Sequence, residues 1–188
     1  TAWPLDSFLN LSDANIYAIK KWVLEMCDGM ITYGLKERDA GKLMSLNTLD
    51  ELDEYCYYVA GTVGYMLCDL FLNYSPLISV KRYRKMNELA NSFGLGLQLT
   101  NIIKDVAEDM TRDICFVPQE LATRYGITTD QLLDPNSKEQ ALNVMRDMIT
   151  KALTHLEDAV HYTMLLPRLE AKIRLFCLWP LFMASQTL

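Results

Sequence analysis

Histidine is scarce in this chain. Only His155 and His161 occur, and neither has a cysteine at ligand spacing, which argues against a zinc site. The five cysteines (Cys27, Cys56, Cys68, Cys115 and Cys177) form no CxxC pair, and their number is odd. They read as free, mostly buried thiols in a reducing, cytoplasmic compartment. A basic stripe is missing as well. The formal net charge is −6, so a nucleic-acid surface is not expected; an anionic ligand that arrives with a metal ion is still compatible. No GxGxxG dinucleotide loop occurs. The longest uncharged runs, Leu89–Ile103, Tyr55–Cys68 and Leu175–Leu188, are shorter than the ~20 residues of a spanning helix. The opening, TAWPLDSFL, has no basic leader region and no Met, so the chain reads as a fragment or a processed piece.

What is present is helix. Apolar residues make up 51% of 188 residues, enough for one domain with a sizeable core and incompatible with global disorder. Ser12 or Asp13 can cap a helix reaching about Arg38, after a loop that holds Pro4. Lys36–Ser45 reads as a loop. Thr48 or Asp50 caps a second helix, whose acidic start suits the macrodipole and which ends near Asn73, before Pro76. A third helix spans about Val80 to Asp109, and a short one Gln119–Arg124. After a loop from Gly126 to Ser137, a long helix covers about Lys138–Leu166. Pro167 breaks it, and a last helix runs from Arg168 with Pro180 inside. Ile114–Val117 is the only strand candidate, and no internal repeat is visible. The expected class is all-α, an irregular bundle.

Chemistry concentrates in QLTNIIKDVAED, Gln98 to Asp109. On a helix, Gln98, Asn101, Asp105, Glu108 and Asp109 share an arc of roughly 100°. The other faces carry Leu97, Leu99, Ile102, Ile103 and Val106. Buried carboxylates need partners, and within the stretch only Lys104 is cationic. A divalent cation fits. Hard oxygen ligands suit Mg²⁺, which completes its shell with water and substrate phosphates. A solvated acidic face is the competing explanation.

A second unusual stretch is YCYYVAGTVG, Tyr55 to Gly64. Ala60, Gly61 and Gly64 lie on one side of a helix interior, where each glycine costs about 1 kcal/mol relative to alanine. Either a neighbouring helix approaches closely there, or the missing side chains open an apolar slot. Beside a metal–phosphate site, such a slot would suit an amphiphile with a diphosphate head and a hydrocarbon tail. The basic segment KRYRK, Lys81–Lys85, is either a second anion contact or a solvated turn.

Taken together these stretches resemble the squalene/phytoene synthase family of head-to-head prenyl synthases. Tyr55–Gly64 is similar to the family's tyrosine–glycine signature. Leu95–Asp109 is similar to its second aspartate-rich motif, and Pro118-Gln119-Glu120 to the segment that follows. The resemblance implies one prenyl-synthase domain with the isoprenoid-synthase helical bundle around a central cavity. It implies Mg²⁺ between a substrate diphosphate and Asp105 and Asp109, with Asn101, Gln98 and Glu108 in support. Tyr55 is then expected near the reacting carbons. Val59, Ala60, Val63 and Gly64 are expected along the prenyl tunnel.

Lys104 stands where the family often has a diphosphate-binding arginine; Arg112 is displaced from a second such place, which Ile114 occupies. Within the family, Met26–Met30 and Leu175–Pro180 resemble the squalene-synthase branch, where Phe176 and Cys177 are expected to line a second pocket. That branch implies two farnesyl diphosphates as substrate and NADPH as reductant, and the long apolar product suggests peripheral contact with a membrane. The Ala60–Gly64 spelling also suits dehydrosqualene and phytoene synthases, which omit the reduction. A phosphatase or a non-catalytic prenyl-binding relative is the further alternative. The family's first aspartate-rich motif lies upstream of the part matching Ile16–Tyr33 and is not in this sequence, so half of the metal site is expected here.

Overall fold

The computed structural model describes residues 8–39 and 44–188. Pro4 and the middle of the Lys36–Ser45 loop lie outside the described residues. The elements are α1 (Asp13–Asp39), β1 (Met44–Ser45), α2 (Leu49–Cys56), α3 (Thr62–Tyr74), α4 (Val80–Met110), β2 (Ile114–Cys115), α5 (Gln119–Arg124), α6 (Lys138–Leu165) and α7 (Ala171–Thr187). The expected helices are all there. Two corrections concern the loop read at Lys36–Ser45: α1 continues to Asp39, and Met44–Ser45 is a strand. The Gly126–Ser137 loop holds two 3₁₀ turns, Thr129–Gln131 and Pro135–Ser137. In the last helix Pro180 interrupts nothing; α7 runs through it, although the Phe176 carbonyl loses its helical donor.

Local chemistry sets the boundaries. The Thr48 side chain accepts from the Glu51 N–H at 3.1 Å and starts α2. Ser79 does the same for α4 through the Arg82 N–H. Between α2 and α3 the backbone opens into a π-helical turn, Tyr57–Gly61. Such one-turn π segments recur at functional sites, and this one falls inside the tyrosine–glycine stretch.

The long helix α4 is the axis of the fold, and its most extensive partner is α6. Two buried clusters flank it. One gathers Leu52, Cys56, Leu99, Ile102, Val117, Val144 and Met148 towards its C-terminal half. The other gathers Phe71, Met86, Ala90, Phe93, Tyr162, Cys177 and Leu181 towards its N-terminal half.

The small residues of the second stretch find their explanation here. A Cβ on Gly64 would lie 1.9 Å from the Ala90 carbonyl oxygen, and one on Gly94 would lie 2.2 Å from the Ala60 carbonyl oxygen. At Gly61 it would meet Asn91 Oδ1 at 2.2 Å. The glycines therefore let α3 and the π turn lie against α4 with backbone in contact. Of the two explanations for Gly64, a close helix approach is the one seen: the Ala90 carbonyl lies where its side chain would stand. Replacing Gly64 by Ala forces two backbones apart, and the expected destabilisation is about 2–3 kcal/mol. Chemical denaturation of Gly64→Ala checks this.

Candidate active site

At its C-terminal end α4 presents a cleft of about 280 Å³, lined by Tyr55, Gln98, Asn101, Ile102, Asp105, Asp109, Arg112, Ile114 and Phe116. Five of the residues singled out in the sequence thus share one wall system. α4 contributes the amides and carboxylates at turn-by-turn spacing. α2 contributes Tyr55. Ile102 also comes from α4, and the chain after it contributes Arg112, Ile114 and Phe116.

The last group is placed by a sharp reversal. After Thr111 caps α4, Asp113 takes a left-handed backbone, φ 57°, a conformation Asp tolerates better than most residues. Its carbonyl accepts from the Met44 N–H at 2.8 Å, and β2 then pairs parallel with β1, Met44 opposite Ile114 and Ser45 opposite Cys115. Alternation does the sorting. Cys115 and Val117 are fully buried, while Ile114 and Phe116 face the cleft. The Pro118-Gln119-Glu120 segment locks this arrangement to α2. The Gln119 and Glu120 N–H groups donate to Leu46 and Asn47 carbonyls at 2.8 and 2.9 Å. Glu120 Oε2 accepts from the first N–H of α2, at Leu49 (3.1 Å). So this motif fixes where α2, and hence Tyr55, stands relative to the end of α4.

Tyr55 is buried. Its ring stacks on Phe116 at 4.5 Å and meets Tyr33 edge-on at 5.2 Å. Tyr33 in turn donates to Glu54 Oε2 at 2.9 Å. Burial, reinforced by that carboxylate, keeps the Tyr33 phenol protonated far above its ordinary range. Tyr57, on the π turn, donates to Glu25 at 3.1 Å, and burial with this bond pushes it up to about 12.

The carboxylates differ in their surroundings. Asp109 is 8% exposed and accepts from Arg112 Nη2 at 2.5 Å. Asp105 is half-buried with Lys104 Nζ 3.4 Å away. Glu108 stands at the rim: its side chain is 74% exposed with Oε1 4.0 Å from the same Arg112 Nη2, and it is not among the cleft-lining residues. The stripe thus divides, with two carboxylates and two amides in the cleft and one carboxylate outside. Lys104 lines a neighbouring cavity of about 270 Å³ between α4 and α7, which it shares with Asn101. Val59, Ala60 and Val63 are half-buried along α2–α3 and line neither of these two cavities. Cys177 is buried in the second cluster, its thiol pushed up to about 12 by burial, and Phe176 projects outward with its ring 6.5 Å from Phe71.

Arg112, Ile102, Ile114 and Phe116 were not singled out as site residues. Arg112 is three residues beyond Asp109, one turn along the same direction, a spacing that brings side chains together. Phe116 was marked by its alternation with Val117 in the strand candidate.

The donor set fits a hard divalent ion. Asp105 and Asp109 are one turn apart, with amide oxygens of Asn101 and Gln98 preceding them on the same wall. Among the described residues no group of three or more acidic, histidine or cysteine side chains converges. Mg²⁺ commonly takes one or two carboxylates and fills its shell from water and phosphate, so this wall can hold such an ion against a phosphate-bearing ligand.

An unrelated titrating group sits deeper in the bundle. His155 Nδ1 lies 3.1 Å from Ser92 Oγ, and burial together with the nearby Lys151 lowers its pKa below 6.5. The unfolded chain then binds that proton first as pH falls, so folding stability is expected to decline below about pH 6.5 until the folded value is passed. Urea midpoints at about pH 7.5 and about pH 5.5 should differ, and His155→Gln should narrow the gap.

With this geometry in hand, comparison with known proteins is direct. The squalene/phytoene synthase family matches residues 5–188. The squalene synthase of Schizosaccharomyces pombe is 36% identical over 185 residues, which are 98% of this chain and 39% of that protein. The squalene synthase of Nicotiana benthamiana is 35% identical, covering 97% of this chain and 41% of its own length. A TcSQS complex with the ligand BPH1237 superposes with a TM-score of 0.82 at 28% identity, covering 97% of this chain and 50% of that one. An all-α isoprenoid-synthase bundle around an acidic cleft is what fold and site define. The chain belongs to the squalene/phytoene synthase family, and it spans about two fifths of the length of the curated relatives it matches.

Proposed function

We propose that the protein is a prenyltransferase of the squalene-synthase type. It joins two farnesyl diphosphates head to head through a cyclopropyl diphosphate and then reduces that intermediate with NADPH to squalene. The observation that carries the reading is the cleft in which Tyr55 of α2 faces Gln98, Asn101, Asp105 and Asp109 of α4. Relatives named squalene synthase at about 35% identity support the choice within the family.

Asp105 and Asp109 would hold Mg²⁺, with Asn101 and Gln98 in support. Bound there, the ion supplies Lewis-acid withdrawal of charge from a leaving diphosphate. The protein's own groups do the remainder. Arg112, 58% exposed and beside Asp109, could offer its fork to the phosphate oxygens. Lys104 offers a second, point-like cation on the side of α4 that borders α7. The stacked rings of Tyr55 and Phe116, with Tyr33 edge-on, give an electron-rich wall that stabilises an allylic cation. Ile102 and Ile114 keep water from it. Tyr55 is the proton-handling candidate at that wall.

Product analysis on the full-length protein, with the upstream aspartate-rich motif that the family carries, tests the reading. Farnesyl diphosphate with Mg²⁺ and NADPH should give squalene, and omission of NADPH should divert the product to dehydrosqualene or stall at the intermediate. Phytoene from geranylgeranyl diphosphate would reassign the substrate. Farnesol alone, or no hydrocarbon under any of these conditions, would contradict the proposal.

A further inference from the structure

Tyr55 reaches the cleft on a helix of only eight residues, α2. A helix that short does not hold itself in place. Its C-terminal end lends little support, because the backbone opens there into the π turn Tyr57–Gly61. The orientation of α2 is therefore set by side-chain contacts. Glu120 fixes its first N–H. On the side towards α1, Glu54 accepts from the Tyr33 hydroxyl at 2.9 Å. The third contact comes from α6. Lys151 Nζ lies 2.8 Å from Asp53 Oδ1 and donates to Oδ2 at 2.9 Å, so one ammonium bridges both oxygens.

This pair is unlike the surface pairs around it. Lys104, Arg112 and Arg124 make their ion pairs from side chains more than half exposed, whereas the Lys151 side chain is 24% exposed. Its stem lies with Leu49 and Met148 along a cavity of about 310 Å³ between α2, α5 and α6. Asp147, one turn back on α6, is already engaged by the Tyr125 hydroxyl at 2.8 Å and by Arg124 at 3.5 Å. His155, one turn further on, meets Ser92 of α4. Lys151 thus reaches across to α2 and ties it to α6, a helix packed extensively on α4.

The tie acts on Tyr55 as a lever. Residues two apart on a helix differ by about 200°, so Asp53 and Tyr55 stand on nearly opposite sides of α2. Asp53 is held by α6, while the Tyr55 ring packs on Phe116 and Tyr33. A rotation of α2 by about 10° carries a group about 6 Å from its axis through about 1 Å. Misplacement by about 1 Å costs on the order of 100-fold in rate.

We propose that Lys151 is a positioning residue, which through Asp53 sets the rotation of α2 and so the aim of the Tyr55 hydroxyl. This rests on the proton-handling role given to Tyr55 under the proposed function.

Steady-state kinetics of the full-length protein in a double-mutant cycle tests it. Lys151→Met keeps the apolar stem and removes the charge; kcat should fall about tenfold with KM within about twofold of wild type. In the Tyr55→Phe background the same substitution should change kcat less than about twofold, because no hydroxyl is left to aim. Lys151→Arg, which can bridge a carboxylate with its fork, should return to within about threefold of wild type. Wild-type kcat in Lys151→Met, an equal loss in both backgrounds, or wild-type turnover in Tyr55→Phe overturns the proposal. Should Lys151→Met fail to fold, Asp53→Asn takes its place with the same expectations. If the wild-type protein forms no prenyl product, the proposed function has failed, and hydrogen exchange decides whether the tie exists. Exchange in α2 about tenfold faster in Lys151→Met, with α4 unchanged, supports the tie, and equal exchange overturns it.

Discussion

Asp109→Asn should abolish the thermal protection that Mg²⁺ and inorganic diphosphate together give this protein. The wild-type protein at a ligand concentration about 100 times the dissociation constant gains about 2.7 kcal/mol. For a chain of this length that is a rise in Tm of roughly 5–10 °C. Asparagine keeps the size of the side chain but removes the charge that binds the ion. A loss of affinity of about 100-fold leaves only about 0.4 kcal/mol of protection, below a degree or two. The variant itself should fold normally, because the Arg112 partner is more than half exposed and such a pair contributes about 1 kcal/mol or less. Asp105→Asn should behave alike. Glu108→Gln is the informative control. Its side chain is 74% exposed and outside the cleft lining, so protection should persist; its disappearance would bring Glu108 into the metal shell. Protection that survives Asp109→Asn, or that appears equally in EDTA, would remove the metal from the account.

Tyr55→Phe should reduce turnover of farnesyl diphosphate by about 100-fold while KM changes little. Phenylalanine retains the stack on Phe116 and the edge contact with Tyr33, so the aromatic wall survives and only the hydroxyl is lost. A group that moves a proton in the transition state contributes on the order of 100- to 10,000-fold, whereas a wall contributes through its ring alone. Tyr55→Ala separates the two. It deletes a buried aromatic ring, with an expected stability loss of about 3–5 kcal/mol. Steady-state kinetics of Tyr55→Phe with product analysis checks the assignment. Wild-type turnover in that variant would make Tyr55 a wall residue and move proton handling elsewhere.

How far the sequence foretold this structure depends on how local each determinant is. Helix ends marked by Pro76, Pro118 and Pro167, and by the caps Thr48 and Ser12–Asp13, were legible because the signal lies within a turn of the boundary. α4 was legible because its acids and amides recur with the helical period. The π turn at Tyr57–Gly61 was not. It depends on the Ala60 carbonyl lying where Gly94 has no side chain, a contact between residues 34 apart in the chain. The parallel pairing of Met44–Ser45 with Ile114–Cys115 is likewise two residues long and non-local.

For the site, the period of 3.6 placed Gln98, Asn101, Asp105 and Asp109 on one wall, but the arc was too wide to separate Glu108 from them. Glu108 falls at its solvent edge, and only the neighbours of α4 reveal where solvent begins. Gly64 shows the complementary limit. A glycine in a helix announces an empty position, and whether a ligand or a backbone fills it is decided by the facing helix, here by Ala90. Arg112 read as displaced from its family place, yet it reaches Asp109 because α4 and the reversal at Asp113 carry it there.

Isothermal titration of the protein with a non-hydrolysable farnesyl diphosphate analogue, in Mg²⁺ and again in EDTA, tests the central claim most directly. The account predicts saturable binding in Mg²⁺ that weakens by about 100-fold or more in EDTA and in Asp105→Asn. Equal binding with and without the ion, unaffected by Asp105→Asn, would contradict it.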